Sequence, residues 1–90
     1  MSDLIAEARG LWKNGNPDKA LACLDDITLC GSTEAFFLKG EIQYSMQNWG
    51  GALNSFRYCL HLDPDYKAAQ TYVDLILNIL GFFHTDQFNP

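Results

Sequence analysis

Small and apolar residues recur at helical spacing in the middle of the chain. Between residues 33 and 64 they stand three or four positions apart within two runs: Phe36, Gly40, Tyr44, Ala52, Phe56 and Cys59. Side chains at this spacing share one face of an α-helix. The pattern therefore predicts two helices joined by a turn at Gln47 and Asn48. The small residues Gly40 and Ala52 would let the two helices approach each other closely.

A second, fainter copy of the pattern occupies the segment from Ile5 to Cys30. Ala20 of this copy corresponds to Ala52, 32 residues later (52 − 20). The other matching positions are Leu4, Ala8 and Leu11 opposite Phe36, Gly40 and Gln43, and Leu24 and Ile27 opposite Phe56 and Cys59. The chain is therefore predicted to contain two similar helical hairpins.

Capping and turn residues predict the bounds of five helices. Serine, threonine, asparagine and aspartate favour the position before a helix, proline favours its first turn, and glycine favours the position after its end. These preferences place the first helix from a cap at Ser2 or Asp3 to about Asn14, and the second from Pro17 to about Leu29. The third helix would run from a cap at Thr33, or alternatively Ser32, to Gln47. The fourth would run from about Trp49 to His61, and the fifth would begin after a cap at Asp63, with Pro64 as its first residue.

The order of these residues resembles the tetratricopeptide repeat (TPR), a helical hairpin that stacks with copies of itself. The chain is similar to short TPR proteins of Bacteroidetes bacteria that carry an aromatic run at their end. The resemblance implies an all-α fold of two antiparallel hairpins and a C-terminal capping helix. Residues 1–81 would form one helical domain, and residues 82–90 an aromatic tail. Glu7 and Lys39 depart from the family, which usually has leucine at that position.

The fifth helix is apolar around most of its circumference, so packing on one side would leave apolar surface uncovered. Its apolar residues are Tyr72, Val73, Leu75, Ile76, Leu77, Ile79 and Leu80. Two alternatives would cover the apolar surface of this helix. Either the tail folds back and docks through Phe82, Phe83 and Phe88, or a second subunit packs there. Burial of the three phenylalanine rings would favour docking of either kind over exposure to water.

Composition and charge argue against several classes of function. Six lysine and arginine residues stand against eleven aspartate and glutamate residues, and the basic residues form no run. This net charge of −5 argues against nucleic acid as a partner. The most apolar segment, residues 73–83, is far shorter than the ~20 residues of a membrane span. No signal peptide is visible, so we expect a cytoplasmic protein that does not enter a membrane.

No catalytic or metal-binding site can be assembled from the sequence. The three cysteines lack the C-x-x-C spacing that brings two thiolates to one metal. Cys59 and His61 stand two positions apart, which on a helix turns them about 200° away from each other. Asp25 and Asp26 diverge in a similar way. We expect a protein that is not an enzyme and that holds no metal or cofactor.

The TPR resemblance implies a concave face built by the first helix of each hairpin and by the fifth helix. Its residues would be Ile5, Arg9, Trp12, Lys13, Phe37, Glu41, Tyr44, Thr71 and Leu75. Trp12, Phe37 and Tyr44 would form an aromatic stripe with charged neighbours, as in peptide grooves. The expected function is non-catalytic binding of a protein or peptide. Two alternatives stay open: the aromatic residues pack against neighbouring helices, or the chain is a homo-oligomeric scaffold joined through the fifth helix and the tail.

Overall fold

The computed structural model of the chain describes residues 4–28 and 31–81. No strand occurs in this part of the chain, which confirms the predicted all-α fold with five helices. The helices are α1 (Leu4–Lys13), α2 (Pro17–Thr28), α3 (Thr33–Ser45), α4 (Trp49–Leu62) and α5 (Lys67–Ile79). None of these five has the length and apolar content that crossing a bilayer would require. The predicted cap at Ser2 or Asp3, the predicted helix end at Leu29 and the tail at 82–90 lie outside the described residues.

The two hairpins turn in the same way, at positions 32 residues apart (47 − 15). Gly15 and Gln47 have positive φ angles of 88° and 61°. The next residue in each turn, Asn16 or Asn48, donates its N–H at 2.9 Å to the carbonyl five positions earlier. This left-handed helix end reverses the chain, so α2 runs back along α1 and α4 runs back along α3.

The two helices of the second hairpin cross closely at Gly40. A Cβ atom at this position would lie 2.7 Å from the ring of Phe56, so the absence of a side chain leaves room for that ring. Nearby, the hydroxyl of Ser55 donates to the side-chain oxygen of Gln43 at 2.5 Å. The predicted close crossing at Gly40 is confirmed.

The buried residues form two clusters, and α3 packs against both. The first core cluster joins α1, α2 and α3 and consists of Ala8, Ala20, Leu24, Ala35, Leu38 and Ile42. The second core cluster joins α4 and α5 and consists of Ala52, Phe56, Cys59, Ala69, Val73 and Ile76. Phe36, Phe37 and Tyr44 of α3 pack against the second cluster. Because α3 is covered on two sides, its apolar residues are not confined to a single face.

The cap of α3 is Ser32, the alternative that the sequence left open, and not Thr33. The Ser32 hydroxyl accepts a hydrogen bond from the N–H of Ala35 at 3.2 Å. Its backbone is extended, whereas Thr33 is already the first helical residue. A cap must stand just outside the helix for its oxygen to reach an unpaired N–H of the first turn.

The start of α5 was predicted at Pro64, and this is wrong, because the helix begins at Lys67. Asp63 caps the end of α4 and has an extended backbone. This is the conformation favoured for a residue that precedes proline. Its carboxylate accepts the N–H of Asp65 at 3.1 Å, so it closes a short turn and does not cap α5.

Candidate functional site

Two polar side-chain contacts join α3 to α1 and to α5. The indole N–H of Trp12 donates to the hydroxyl of Ser45 at 3.1 Å, which links α1 to the end of α3. The phenol of Tyr72 donates to the carboxylate of Glu41 at 3.4 Å, which links α5 to the middle of α3. We call the surface shared by these three helices the odd-helix face. Its residues are Arg9, Trp12, Glu41, Tyr44, Tyr72, Leu75 and Ile79.

Glu41 is a half-buried acid in the middle of the odd-helix face. Partial burial takes water away from its carboxylate and raises its pKa, while the hydrogen bond from Tyr72 and the charge of Arg9 act in the opposite direction. Burial and the neighbouring Glu41 also raise the pKa of the Tyr72 phenol. In such a partly desolvated place, a hydrogen bond to the carboxylate is stronger than it would be in open water.

Two aromatic residues of the predicted groove, Phe37 and Tyr44, are in contact with other rings. The ring centroid of Phe37 lies 4.9 Å from that of Tyr66 and 5.8 Å from that of Tyr72. Tyr44 lies 5.1 Å from Tyr72 and 5.2 Å from Trp49. Both residues are half-buried. They pack α3 against its neighbours, as in the alternative considered above, and they present only part of their surface to solvent.

The four α1 residues of the predicted groove differ in their surroundings. Ile5 and Trp12 pack partly against the first core cluster. Arg9 is half-buried and interacts electrostatically with Glu41. Lys13, at the end of α1, is exposed. The structure therefore brings Arg9 and Trp12 next to α3, whereas Lys13 does not belong to the odd-helix face.

The part of the odd-helix face that α5 contributes includes an exposed apolar row. Leu75 and Ile79 are 44% and 48% exposed, and they follow Tyr72 by three and seven positions, on the same side of the helix. Thr71 is also exposed, and its hydroxyl donates to the backbone carbonyl of Lys67 at 3.1 Å. Tyr72 and Ile79 are absent from the sequence-based prediction of the site, although the four-residue step from Leu75 is a helical signal for Ile79.

A concave surface lies along α4, with a volume of about 270 Å³. Its described lining consists of Asn54, Arg57, Tyr58 and His61, all exposed and all on one helix. The Tyr58 ring stacks on Phe36 at a centroid distance of 5.1 Å. The amide and guanidinium donors suit an anionic group. All four residues belong to one helix, whereas the odd-helix face draws its residues from three.

Cys59 is a fully buried member of the second core cluster. Burial and the nearby charge of Asp63 raise the pKa of its thiol to about 11, which keeps it protonated and unreactive. His61 lies on the exposed surface of the same helix, so the two side chains have different surroundings. Among the described residues, no group of three or more histidine, cysteine, aspartate or glutamate side chains could hold a metal ion.

Comparison with known proteins identifies no relative, since no family model, no curated protein and no solved structure matches the chain.

Proposed function

We propose that the chain is a TPR-like pair of hairpins with a capping helix, and that it is a non-catalytic module that binds a protein or peptide on the odd-helix face. The spacing of buried residues supports the repeat architecture. Ala35 and Ile42 of α3 are matched 34 residues later by Ala69 and Ile76 of α5 (69 − 35 and 76 − 42), and all four are fully buried. The TPR period is also about 34 residues.

The binding function is supported mainly by the apolar row of Leu75 and Ile79, which lies beside the half-buried carboxylate of Glu41. The row begins next to Tyr72, whose phenol is hydrogen-bonded to Glu41. In helix- and peptide-binding surfaces, apolar contacts supply most of the free energy, and polar groups set the register of the ligand. The partner expected here presents apolar side chains at helical spacing together with a hydrogen-bond donor for Glu41.

Charge narrows the class of partner further. The chain carries a net charge of −5, so a neutral or basic segment is favoured over an acidic one. Nucleic acid and anionic membrane surfaces are disfavoured for the same reason. A cytoplasmic setting is part of this proposal, because three cysteines without a metal-site or disulfide-framework pattern suit a reducing compartment.

Peptides selected from a random helical library against the immobilised chain test the proposal. Leu75→Glu should weaken their binding at least about tenfold, because it sets a charge against the apolar side chains of the ligand. Leu62→Glu is the matched control, since Leu62 is 42% exposed on α4 and does not belong to the odd-helix face. It should change the affinity by less than about twofold.

Selected peptides that bind the Leu75→Glu chain as tightly as the parent would show that the odd-helix face is not the binding surface. Chemical-shift mapping of the same peptides would then show whether they use the surface along α4.

A homo-oligomeric scaffold is the second candidate, and the exposed row on α5 favours it too. Sedimentation equilibrium over a wide range of concentrations separates the two candidates. A dimer that Leu75→Glu converts to monomer supports the scaffold. A single monomeric mass at every concentration excludes it.

A further inference from the structure

Four side chains that can donate hydrogen bonds stand on one side of α4. Arg57, Tyr58 and His61 follow Asn54 by three, four and seven positions, which is the spacing of a single helical face. These residues line the concave surface along α4. All four are exposed, and none belongs to the odd-helix face. The described lining contains no carboxylate, so it is free of charge that would repel an anion at close range.

The donors of this surface have no partner within the described part of the chain. Lys39 pairs with Asp25 at 3.9 Å, whereas Arg57 forms no ion pair with another described residue. The side chains of Asn54 and His61 likewise make no hydrogen bond to any described residue. A guanidinium carries five N–H donors in a planar fork that matches the oxygens of a carboxylate or a phosphoryl group. This donor capacity is available to a ligand.

The Tyr58 ring is held in place although it is exposed. One of its faces stacks on the half-buried ring of Phe36, with a centroid distance of 5.1 Å and an angle of 17° between the ring planes. Phe36 in turn packs against the second core cluster. Tyr58 is 58% exposed, so much of its ring remains open to a ligand. A side chain that is already ordered loses less conformational entropy on binding than a free one.

The size of the concave surface and the direction of α4 indicate what can bind there and where. Pockets that enclose a whole small molecule have volumes of about 300–1,000 Å³, whereas this surface offers about 270 Å³ and has an exposed lining. It suits one side chain of a peptide better than a nucleotide. The carboxyl end of a helix disfavours an anion. An anion is therefore favoured near Asn54 and Arg57, in the middle of α4, over His61 in its last turn.

We propose that the surface along α4 binds an anionic side chain of a partner peptide, with a carboxylate or a phosphoryl group as the bound anion. The guanidinium of Arg57 donates to two oxygens of the anion. The amide of Asn54 supplies a further donor one turn away, and the ring of Tyr58 contacts the peptide beside the anion.

This binding site is independent of the odd-helix face, with which it shares no residue. The net charge of −5 favours a neutral or basic partner for the molecule as a whole. Charges farther apart than about 8 Å are, however, largely screened at physiological ionic strength. The attraction at α4 therefore depends on the donors in contact with the anion. The two surfaces can fail separately, because substitutions on α5 test one and substitutions on α4 test the other.

Three alanine-based helical peptides that are identical except at one central position test the site. That position is glutamate, phosphoserine or glutamine. NMR titration of the full chain follows the side-chain N–H signals of Asn54 and Arg57. At least one of the two anionic peptides should bind at least about fivefold more tightly than the glutamine peptide, because a hydrogen bond to an ionised group is stronger than one to a neutral group. The tighter of the two identifies the bound anion.

Arg57→Gln should reduce this preference to less than about twofold. Lys19→Gln is the matched control, since Lys19 is an exposed base on α2 and its substitution changes the net charge by the same amount. It should change the affinity of the anionic peptides by less than about twofold. Equal affinities of the three peptides for the parent would overturn the proposal, and so would equal losses of affinity in the two variants. Arg57-dependent binding to phosphatidylserine vesicles, but to none of the peptides, would overturn it as well.

Discussion

A Cβ atom added at Gly40 would stand 2.7 Å from the Phe56 ring, whereas one added at Gly50 would meet no atom within 4 Å. Gly40→Ala is therefore expected to lower the free energy of unfolding by about 1–3 kcal/mol, because the ring or the helix must shift. Gly50→Ala is the matched control and should be neutral or stabilising by up to about 1 kcal/mol. Urea unfolding of both variants measures the difference. Equal stability of Gly40→Ala and the parent would mean that the crossing adapts without cost.

The raised pKa of Glu41 predicts how the stability of the folded chain depends on pH. Folding raises its pKa, so the folded state holds the proton more tightly than the unfolded state does. Ionisation of Glu41 therefore opposes folding. This cost is absent below the ordinary pKa of 4.5 and grows as the pH rises from there through the pKa of the folded state.

Glu41→Gln removes this cost, because the amide stays neutral and can still accept the hydrogen bond from Tyr72. The variant should melt at a higher temperature than the parent at neutral pH, and the difference should shrink below pH 4.5. Thermal melts of both proteins across this range measure the effect. A difference that grows as the pH falls would contradict the predicted direction, and so would an NMR titration that places the Glu41 pKa below 4.5.

Among the helices, α3 depends on a side-chain cap whose position can be tested. Ser32→Ala removes the acceptor for the N–H of Ala35 and should cost about 1 kcal/mol of stability. Thr33→Ala changes the first helical residue and leaves the cap in place, so it should cost less than about 0.5 kcal/mol. Chemical denaturation of the two variants compares them. A larger loss of stability for Thr33→Ala than for Ser32→Ala would show that Thr33 is the cap.

The same helix should couple the two halves of the molecule, because it packs against both core clusters. The chain has two tryptophans, and they report on different halves: Trp12 packs against the first core cluster and Trp49 against the second. Trp12→Phe leaves a fluorescent probe of the second cluster, and Trp49→Phe leaves one of the first. In each variant the fluorescence and circular dichroism midpoints should coincide, as expected for two-state unfolding. Separate midpoints would show that the hairpins unfold independently.

The number of helices, the two turns and the small residues at the crossing could be read from the sequence. Those features depend on near neighbours in the chain. Helical periodicity places side chains on a face within one or two turns, and a left-handed position after a helix reverses the chain locally. Gly40 and Ala52 were predicted at the crossing because they stand where the TPR pattern has the small residues between its two helices. The all-α architecture was likewise implied by the resemblance of the two copies to that pattern.

The composition of the odd-helix face depended on contacts between residues far apart in sequence. Trp12 and Ser45 are 33 positions apart, and Glu41 and Tyr72 are 31 apart. Which side of α5 meets α3 depends on how α5 rotates when it packs on α4. The Asp63 turn, which delays the start of α5 to Lys67, also shapes this packing. Periodicity within a helix contains no information about that rotation, so the contact of Tyr72 with Glu41 could not be read from the sequence. Ile79, in contrast, could have been found from its position four residues after Leu75.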